Sequence, residues 1–212
     1  VDVSVWLRSA LSTLTGGSSN VSLGGSVAST QIQSEADSAL KAATGNSATI
    51  RTRNAASIST ADLKSLADAA AKASKSLILH ADTMRNGVVQ GRLYVDPAKL
   101  ANATEDLKLG VYTDPGQTSR VSSMFEKYFD NTVSIIKLEQ QGSFGARLEI
   151  AAKVDLENLD ADNLIFYSYN AATNSYTQIK DSAYYVDANG YLRFYTELAG
   201  SIVITDKPLT SK

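Results

Sequence analysis

Tyrosine and arginine side chains in the last quarter of the chain are the residues best suited to bind a ligand. The segment Tyr191-Leu192-Arg193-Phe194-Tyr195 alternates apolar and polar positions, which is typical of a strand with one buried face. Burial of Leu192 and Phe194 then leaves two tyrosines and an arginine exposed. Such a surface suits sugars, because aromatic rings stack on their C–H faces while a guanidinium donates hydrogen bonds to hydroxyls.

Neighbouring tyrosines extend this candidate surface. Tyr184 or Tyr185 lies on the adjoining strand, within reach of the same face. A second interpretation stays open: the tyrosines form ordinary cross-strand aromatic pairs that stabilise the sheet. Tyr167 and Tyr169 are expected in the core, since both faces of their strand are apolar.

Catalytic chemistry finds little support in the sequence. The only histidine, His80, lies in a strand pattern, and there is no G-x-S-x-G segment for a serine nucleophile. Glu139 and Glu149, on two strands that we expect to pair, are the pair considered for glycoside hydrolysis, but we prefer to interpret them as solvent-facing strand charges. Phosphate-binding and dinucleotide-binding glycine patterns are absent. We therefore expect no catalytic residues and no enzyme.

Metal binding is a minor alternative. Residues 160–163 and 187–190 contain aspartate and asparagine oxygens in turns, but neither segment matches an EF-hand loop. Asp and Asn are also the usual residues of tight turns. No cofactor is expected, and a structural calcium ion is the weaker alternative.

Composition excludes several classes of partner. The formal net charge is -2 and no basic stripe is present, which argues against nucleic-acid binding. No apolar run approaches the ~18 residues that a membrane-spanning helix requires. Cysteine is absent, so disulfides and thiolate sites are excluded. Abundant Ser, Thr, Ala, Asn and Tyr are typical of exported proteins of Gram-positive bacteria.

Alternating segments and turn residues predict about ten strands and two or three helices. The clearest helix covers residues 59–73, with Ser59 as N-cap, and others are expected at 35–43 and 119–129. Asn86-Gly87 predicts a tight hairpin between strands at 76–81 and 88–95. Strand spacing predicts a mainly β protein, an antiparallel β-sandwich with two or three packed α-helices.

The predicted organisation is an arm followed by one β-rich module. Residues 1–29 contain Trp6, expected to anchor on the domain body, and a Gly/Ser-rich linker. The module covers residues 30–212. Whether a second boundary divides it near residues 155–162 is open at this point.

The C-terminal pattern resembles non-catalytic, β-rich modules of Gram-positive secreted proteins, which occur beside carbohydrate-active enzymes, in cellulosomes and on cell surfaces. The shared features are a tyrosine-rich strand, an Asn-containing hairpin, a V-D-x-x-G turn, an aromatic strand and a closing G-x-x-V-I-T-D strand. Here they are residues 167–170, 173–179, 186–190, 191–195 and 200–206. The helix–strand unit 58–81 also resembles a segment that precedes this tail in such proteins.

What the resemblance implies is an extracellular module, tethered to other modules of a larger protein, that binds polysaccharide or attaches to a surface. The first hypothesis is non-catalytic binding of a plant cell-wall polysaccharide of the β-glucan type through Tyr191, Arg193 and Tyr195, with Tyr184 and Tyr185. The second is a structural or adhesion module, a spacer without a glycan ligand.

Overall fold

The computed structural model describes residues 29–212, which form three α-helices, thirteen strands and one 3₁₀ turn at Pro97–Lys99. The helices are α1 (Ser29–Ala42), α2 (Thr60–Ala73) and α3 (Pro115–Tyr128). The strands are β1 (Ser47–Arg53), β2 (Ser57–Ile58), β3 (Ser76–Arg85), β4 (Val88–Val95), β5 (Leu107–Lys108), β6 (Val111–Tyr112), β7 (Ser134–Leu138), β8 (Ser143–Ala152), β9 (Ile165–Asn170), β10 (Ser175–Gln178), β11 (Tyr184–Val186), β12 (Leu192–Leu198) and β13 (Ser201–Thr205).

A six-stranded sheet in the order β1-β3-β4-β8-β12-β11 is the larger of the two main layers. Strands β1 and β3 run parallel, and every other neighbouring pair is antiparallel. Parallel neighbours need a crossover connection, and the segment containing α2 supplies it. The sheet is therefore mixed.

A five-stranded antiparallel sheet, β10-β9-β13-β7-β6, forms the second layer, and β2 pairs with β5 in a short ribbon. The two large sheets meet across a common core, where the rings of Phe166 and Phe194 stack with centroids 4.8 Å apart. Strand β6 also comes close to β4. A Cβ added to Gly91 would lie 2.6 Å from the Val111 carbonyl oxygen, so the approach needs glycine there.

Helices α1 and α2 pack into the same core, at the end of the six-stranded sheet where β1 lies. Helix α1 buries Ile32, Ala36 and Leu40, one residue every four positions, and helix α2 buries Leu63 and Leu66. Together they cover the inner face of the sheet near β1 and β3. The third helix lies elsewhere: Phe125 of α3 packs on the outer face of the five-stranded sheet.

The sequence prediction of a β-rich protein with two or three helices is confirmed in this coarse form, as a mixed α/β arrangement of sheets. A simple antiparallel β-sandwich is not what forms, because β1 joins its sheet in parallel and two helices fill part of the inner side. The expected pairing of the strands around residues 132–140 and 146–154 is wrong. Strand β7 belongs to the five-stranded sheet and β8 to the six-stranded sheet.

Local signals were more dependable. Ser59 caps α2 by accepting from the Asp62 N–H at 3.1 Å, as predicted. Asn86 and Gly87 both have positive φ, 51° and 75°, which the hairpin turn between β3 and β4 requires. Helix α1 begins earlier than expected, at Ser29, whose hydroxyl donates to Asp62 Oδ2 at 2.9 Å.

The chain on both sides of residues 155–162 contributes to the same layers. Strand β12 inserts beside β8, and β9 and β13 join β7. The predicted arm and the anchoring role of Trp6 lie outside the described residues. Within residues 29–212, no helix is long and apolar enough to cross a membrane.

Candidate functional site

The candidate site is the outer face of the six-stranded sheet, the face that points away from the common core. Strand alternation and the pairing register arrange its side chains in two rows across the sheet. The first row is Arg51, His80, Tyr94, Glu149 and Tyr195. The second row is Arg53, Asp82, Arg92, Ala151, Arg193 and Tyr185.

Tyr185, Arg193 and Tyr195 lie together on this face, as the sequence predicted. As whole residues, Tyr185 and Tyr195 remain 44% and 41% exposed. The Arg193 guanidinium lies 5.5 Å from the Tyr185 ring centroid and 5.1 Å from that of Tyr94, within cation–π range. The cation of Arg193 therefore lies between the rings of Tyr94 and the exposed Tyr185.

Glu149 joins these groups into one connected unit. Its Oε1 accepts from Arg193 Nε at 2.8 Å and from the same guanidinium's second nitrogen at 2.6 Å, and its Oε2 accepts from the Tyr195 hydroxyl at 3.3 Å. Burial would lower the pKa of Arg193, but Tyr94 and Glu149 outweigh burial and raise it. The arginine stays charged and has few other orientations available.

Tyr191 and Tyr184 do not belong to the exposed surface, contrary to the sequence prediction. Tyr191 is only 5% exposed, and its hydroxyl donates to the Val89 carbonyl at 2.7 Å. Tyr184 pairs with Phe194 and so takes the inner side of the sheet, where its ring packs on Phe166. Its hydroxyl accepts from the Leu164 N–H at 2.8 Å, which gives this tyrosine a structural role.

Beneath the exposed groups lies an ion pair between Asp82 and Arg92. Arg92 is 1% exposed, and its Nε and terminal nitrogen both donate to the Asp82 carboxylate, the latter at 2.9 Å. A fork-to-carboxylate contact of this kind is strong and directional. It fixes the centre of the second row.

His80, confirmed as a strand residue, lies in a cationic environment. Its ring packs edge-on against Tyr94 with centroids 4.8 Å apart. Burial, followed by the charges of Arg92, Arg51 and Arg193, lowers the pKa of His80 to about 3. The imidazole is therefore neutral at physiological pH, and its Nδ1 has no hydrogen-bond partner within residues 29–212.

Exposed cations border the rows. The Arg147 guanidinium lies 5.5 Å from the Tyr195 ring centroid and donates to the Asp181 carbonyl at 2.8 Å. Lys153 Nζ lies 5.8 Å from the ring centroid of Tyr191. Both cations are exposed at the rim of the face.

Sequence reasoning missed Tyr94, Arg147 and the site role of Glu149. Tyr94 and Glu149 occupy the polar positions of alternating strands, so the sequence could predict that both side chains face away from the core. It could not predict that they lie next to each other and to Arg193. They meet Arg193 only because β8 lies between β4 and β12. That order depends on contacts between residues some 40 to 100 positions apart.

The carboxylates considered for catalysis are separated. Glu139 follows β7 at the five-stranded sheet, whereas Glu149 lies on the far side of the other sheet and is engaged by Arg193. Facing carboxylates 5–9.5 Å apart, which glycosidases use, are not formed by this pair.

The two turns considered for calcium use their carboxylates locally. Asp160 accepts from the Asp162 N–H at 3.1 Å and from the Asn163 amide at 2.7 Å. Asp187 Oδ1 accepts from the backbone N–H groups of Asn189 and Tyr191. Among the described residues, no group of three or more acidic or histidine side chains is arranged to hold a metal ion.

A separate cleft of about 330 Å³ lies between α2 and the start of β8, lined by Leu63, Leu100 and Phe144 with Glu105 and Gln140 at its rim. Its lining includes none of the outer-face tyrosines. The outer face is thus an open surface and not a pocket. No protein-family model matches this chain, and no curated protein sequence is significantly similar to it.

Proposed function

We propose that this chain is a non-catalytic module that binds a polysaccharide of the β-glucan type, as in plant cell walls, on the outer face of its six-stranded sheet. The same proposal places it in an extracellular bacterial protein, tethered to other modules. Secretion and tethering rest on composition and on the C-terminal resemblance; the binding surface rests on geometry.

One observation carries the proposal: Tyr185 and Tyr195 keep more than two fifths of their surface exposed beside the ion pair of Arg193 and Glu149. Tyr167 and Tyr169 of the other sheet, by contrast, are covered and only 7% exposed. Exposed rings offer flat apolar faces to pyranose C–H groups, and the fixed guanidinium offers directed N–H donors to hydroxyls. Since these groups already hold one another, little side-chain entropy is lost on binding.

The proposed module is non-catalytic because both acidic groups of the outer face already contact arginine. Glu149 accepts hydrogen bonds from Arg193 and Tyr195. Asp82 is buried and forms an ion pair with Arg92. Hydrolysis of a glycoside needs one carboxyl group to give a proton and a second to act as base or nucleophile. Both carboxylates already accept hydrogen bonds from arginine, so neither oxygen pair is free to approach a glycosidic bond.

Electrophoresis in native gels containing soluble polysaccharides tests the proposal. We expect retardation by at least one of hydroxyethylcellulose, carboxymethylcellulose, xyloglucan, xylan, mannan and pectin. The double variant Tyr185→Thr/Tyr195→Thr should bind at least about tenfold more weakly, a loss of roughly 1.4 kcal/mol. Threonine keeps strand propensity, so the sheet should persist.

Tyr176→Thr is the matched control, because Tyr176 is a strand tyrosine of similar exposure, 46%, on the other sheet. It should retain full binding. Retardation by no polysaccharide would overturn the proposal, and so would equal binding by the double variant. Release of reducing sugars from any glycan would contradict the non-catalytic part.

A second candidate is a structural or adhesion module without a glycan ligand. The observation in its favour is an exposed aromatic patch near α3, formed by Tyr128 and Tyr176 with the half-buried Phe129. Aromatic residues are enriched where proteins contact proteins. The same gels decide between the two functions, since a spacer should migrate identically in every polysaccharide.

A further inference from the structure

We propose that the polysaccharide bound on the outer face carries carboxylate groups, and that Arg147 beside Tyr195 is the cation that receives them. This inference rests on the proposed function, because it names the substrate class of the same surface.

The rows contain more cations than anions. Four arginines occupy them, Arg51, Arg53, Arg92 and Arg193, against the two carboxylates of Asp82 and Glu149. Each carboxylate is already engaged by an arginine. The positive excess contrasts with the chain as a whole, whose formal net charge is -2. An anionic ligand matches this face better than a neutral one.

Arg147 is the exposed cation of this surface that lies beside an exposed tyrosine. Among the described residues no carboxylate lies within 4 Å of its guanidinium, which contacts a backbone carbonyl and the ring of Tyr195. An arginine fork has five N–H donors, so one bond to Asp181 leaves donors for a planar carboxylate. The neighbouring ring and guanidinium can therefore meet the C–H face and the acid group of the same sugar.

His80 lies close enough to the same arginines for their charges to act on its imidazole. Burial and three arginines act on its imidazole in the same direction, toward the neutral form. A positive potential thus extends from the second row to the middle of the first. Because His80 is the only histidine of the chain, its imidazole signal can be followed by NMR without ambiguity.

Carboxymethylcellulose and hydroxyethylcellulose test the inference, because they share a β-glucan backbone and differ in charge. In low salt we expect the protein to bind the carboxymethyl polymer at least about tenfold more tightly, with the preference reduced by 0.5 M NaCl. The His80 imidazole resonance should shift on addition of the charged polymer. Arg147→Gln should abolish most of the preference while binding to the neutral polymer persists.

Lys127→Gln is the matched control, since Lys127 is also an exposed cation beside an exposed tyrosine, 5.2 Å from the Tyr128 ring, but lies on α3. It should leave the preference unchanged. Cellulose sulfate distinguishes the anions: binding tighter than to the carboxymethyl polymer overturns the choice of carboxylate.

The outcomes separate this inference from the proposed function. Equal binding of both polymers through Tyr185 and Tyr195 overturns the acidic ligand and leaves polysaccharide binding intact. A preference that survives Arg147→Gln, or that Lys127→Gln removes, overturns the assignment of the cation. Binding of no polysaccharide overturns both proposals.

Discussion

The two sheets each present a tyrosine-rich outer face, and the two faces differ in what covers them. On the five-stranded sheet, α3 lies over Tyr167 and Tyr169, each only 7% exposed. On the six-stranded sheet, no helix within residues 29–212 lies over Tyr185 and Tyr195. The density of tyrosine is similar, so density alone does not indicate a binding surface.

The neighbours of the rings explain the difference. On the covered face, Tyr169 meets the edge of Phe125 at 5.4 Å, and its hydroxyl donates to Asn174 at 2.9 Å. On the open face, the rings meet guanidinium groups, whose charge favours continued contact with water. An aromatic surface that packs on other aromatic rings is suited to burial under a helix. An aromatic surface that packs on arginine side chains is suited to a polar ligand.

Phe125→Ala should have the largest effect, because Phe125 joins α3 to the covered face. Its ring stacks on Phe129 at 5.3 Å and is 2% exposed. Truncation of a buried phenylalanine costs about 3–5 kcal/mol. Urea unfolding should show this loss, while Tyr195→Thr on the open face should cost less than about 1 kcal/mol.

Similar losses for the two variants would break the comparison. A large loss for Tyr195→Thr would mean that the open face stabilises the fold as strongly as the covered one. Its rings would then be structural, and the proposed function would lose its main support.

Alternation within single strands predicted much of the site. Leu192 and Phe194 are buried and Arg193 and Tyr195 face outward, as expected. The prediction that Tyr191 is exposed was wrong because its burial depends on Val89, which lies 102 residues away on β4 and packs against it. No local pattern contains that contact.

Topology was harder to predict than strand positions. The parallel pairing of β1 with β3 depends on α2 packing back on the sheet, and a strand of seven residues reads the same in either direction. The sequence also could not decide between Tyr184 and Tyr185, which were both candidates for the outer face. Only the register of β11 with β12 determines that Tyr185 faces outward.

Asp82→Ala tests whether the open face has a rigid base. Removing the carboxylate leaves Arg92 buried without its ion-pair partner, and such a loss should cost about 3 kcal/mol. Arg92→Met in the same chain should restore most of the stability, since it removes the stranded charge. Unfolding of both variants in urea measures this directly.

A small loss for Asp82→Ala alone would show that Arg92 reaches water or another anion readily. A double variant no more stable than Asp82→Ala would show that the ion pair contributes by packing and not by charge. Either result would make the base of the open face less rigid than the hydrogen bonds indicate.

His80 gives the smallest and most specific test of the difference between the faces, because it lies in the first row of the open face. Burial is the main factor that opposes its protonation, followed by the charges of Arg92, Arg51 and Arg193, and Tyr94 packs against it. In the folded state its pKa is lowered to about 3, whereas the unfolded chain should titrate near its ordinary value of 6.5. Between these values only the unfolded state takes up the proton, so stability falls as the pH drops from 6.5 toward 3.

The variant His80→Gln removes this titration, so its stability should depend less on pH than that of the parent chain. Relative to their difference at pH 7.5, the parent should lose on the order of 2 kcal/mol at pH 4.5. Urea unfolding at both pH values measures the change and cancels any constant effect of the substitution. Parallel stability curves would mean that the folded imidazole titrates normally, and that the cations of the open face are screened by water before they reach the first row.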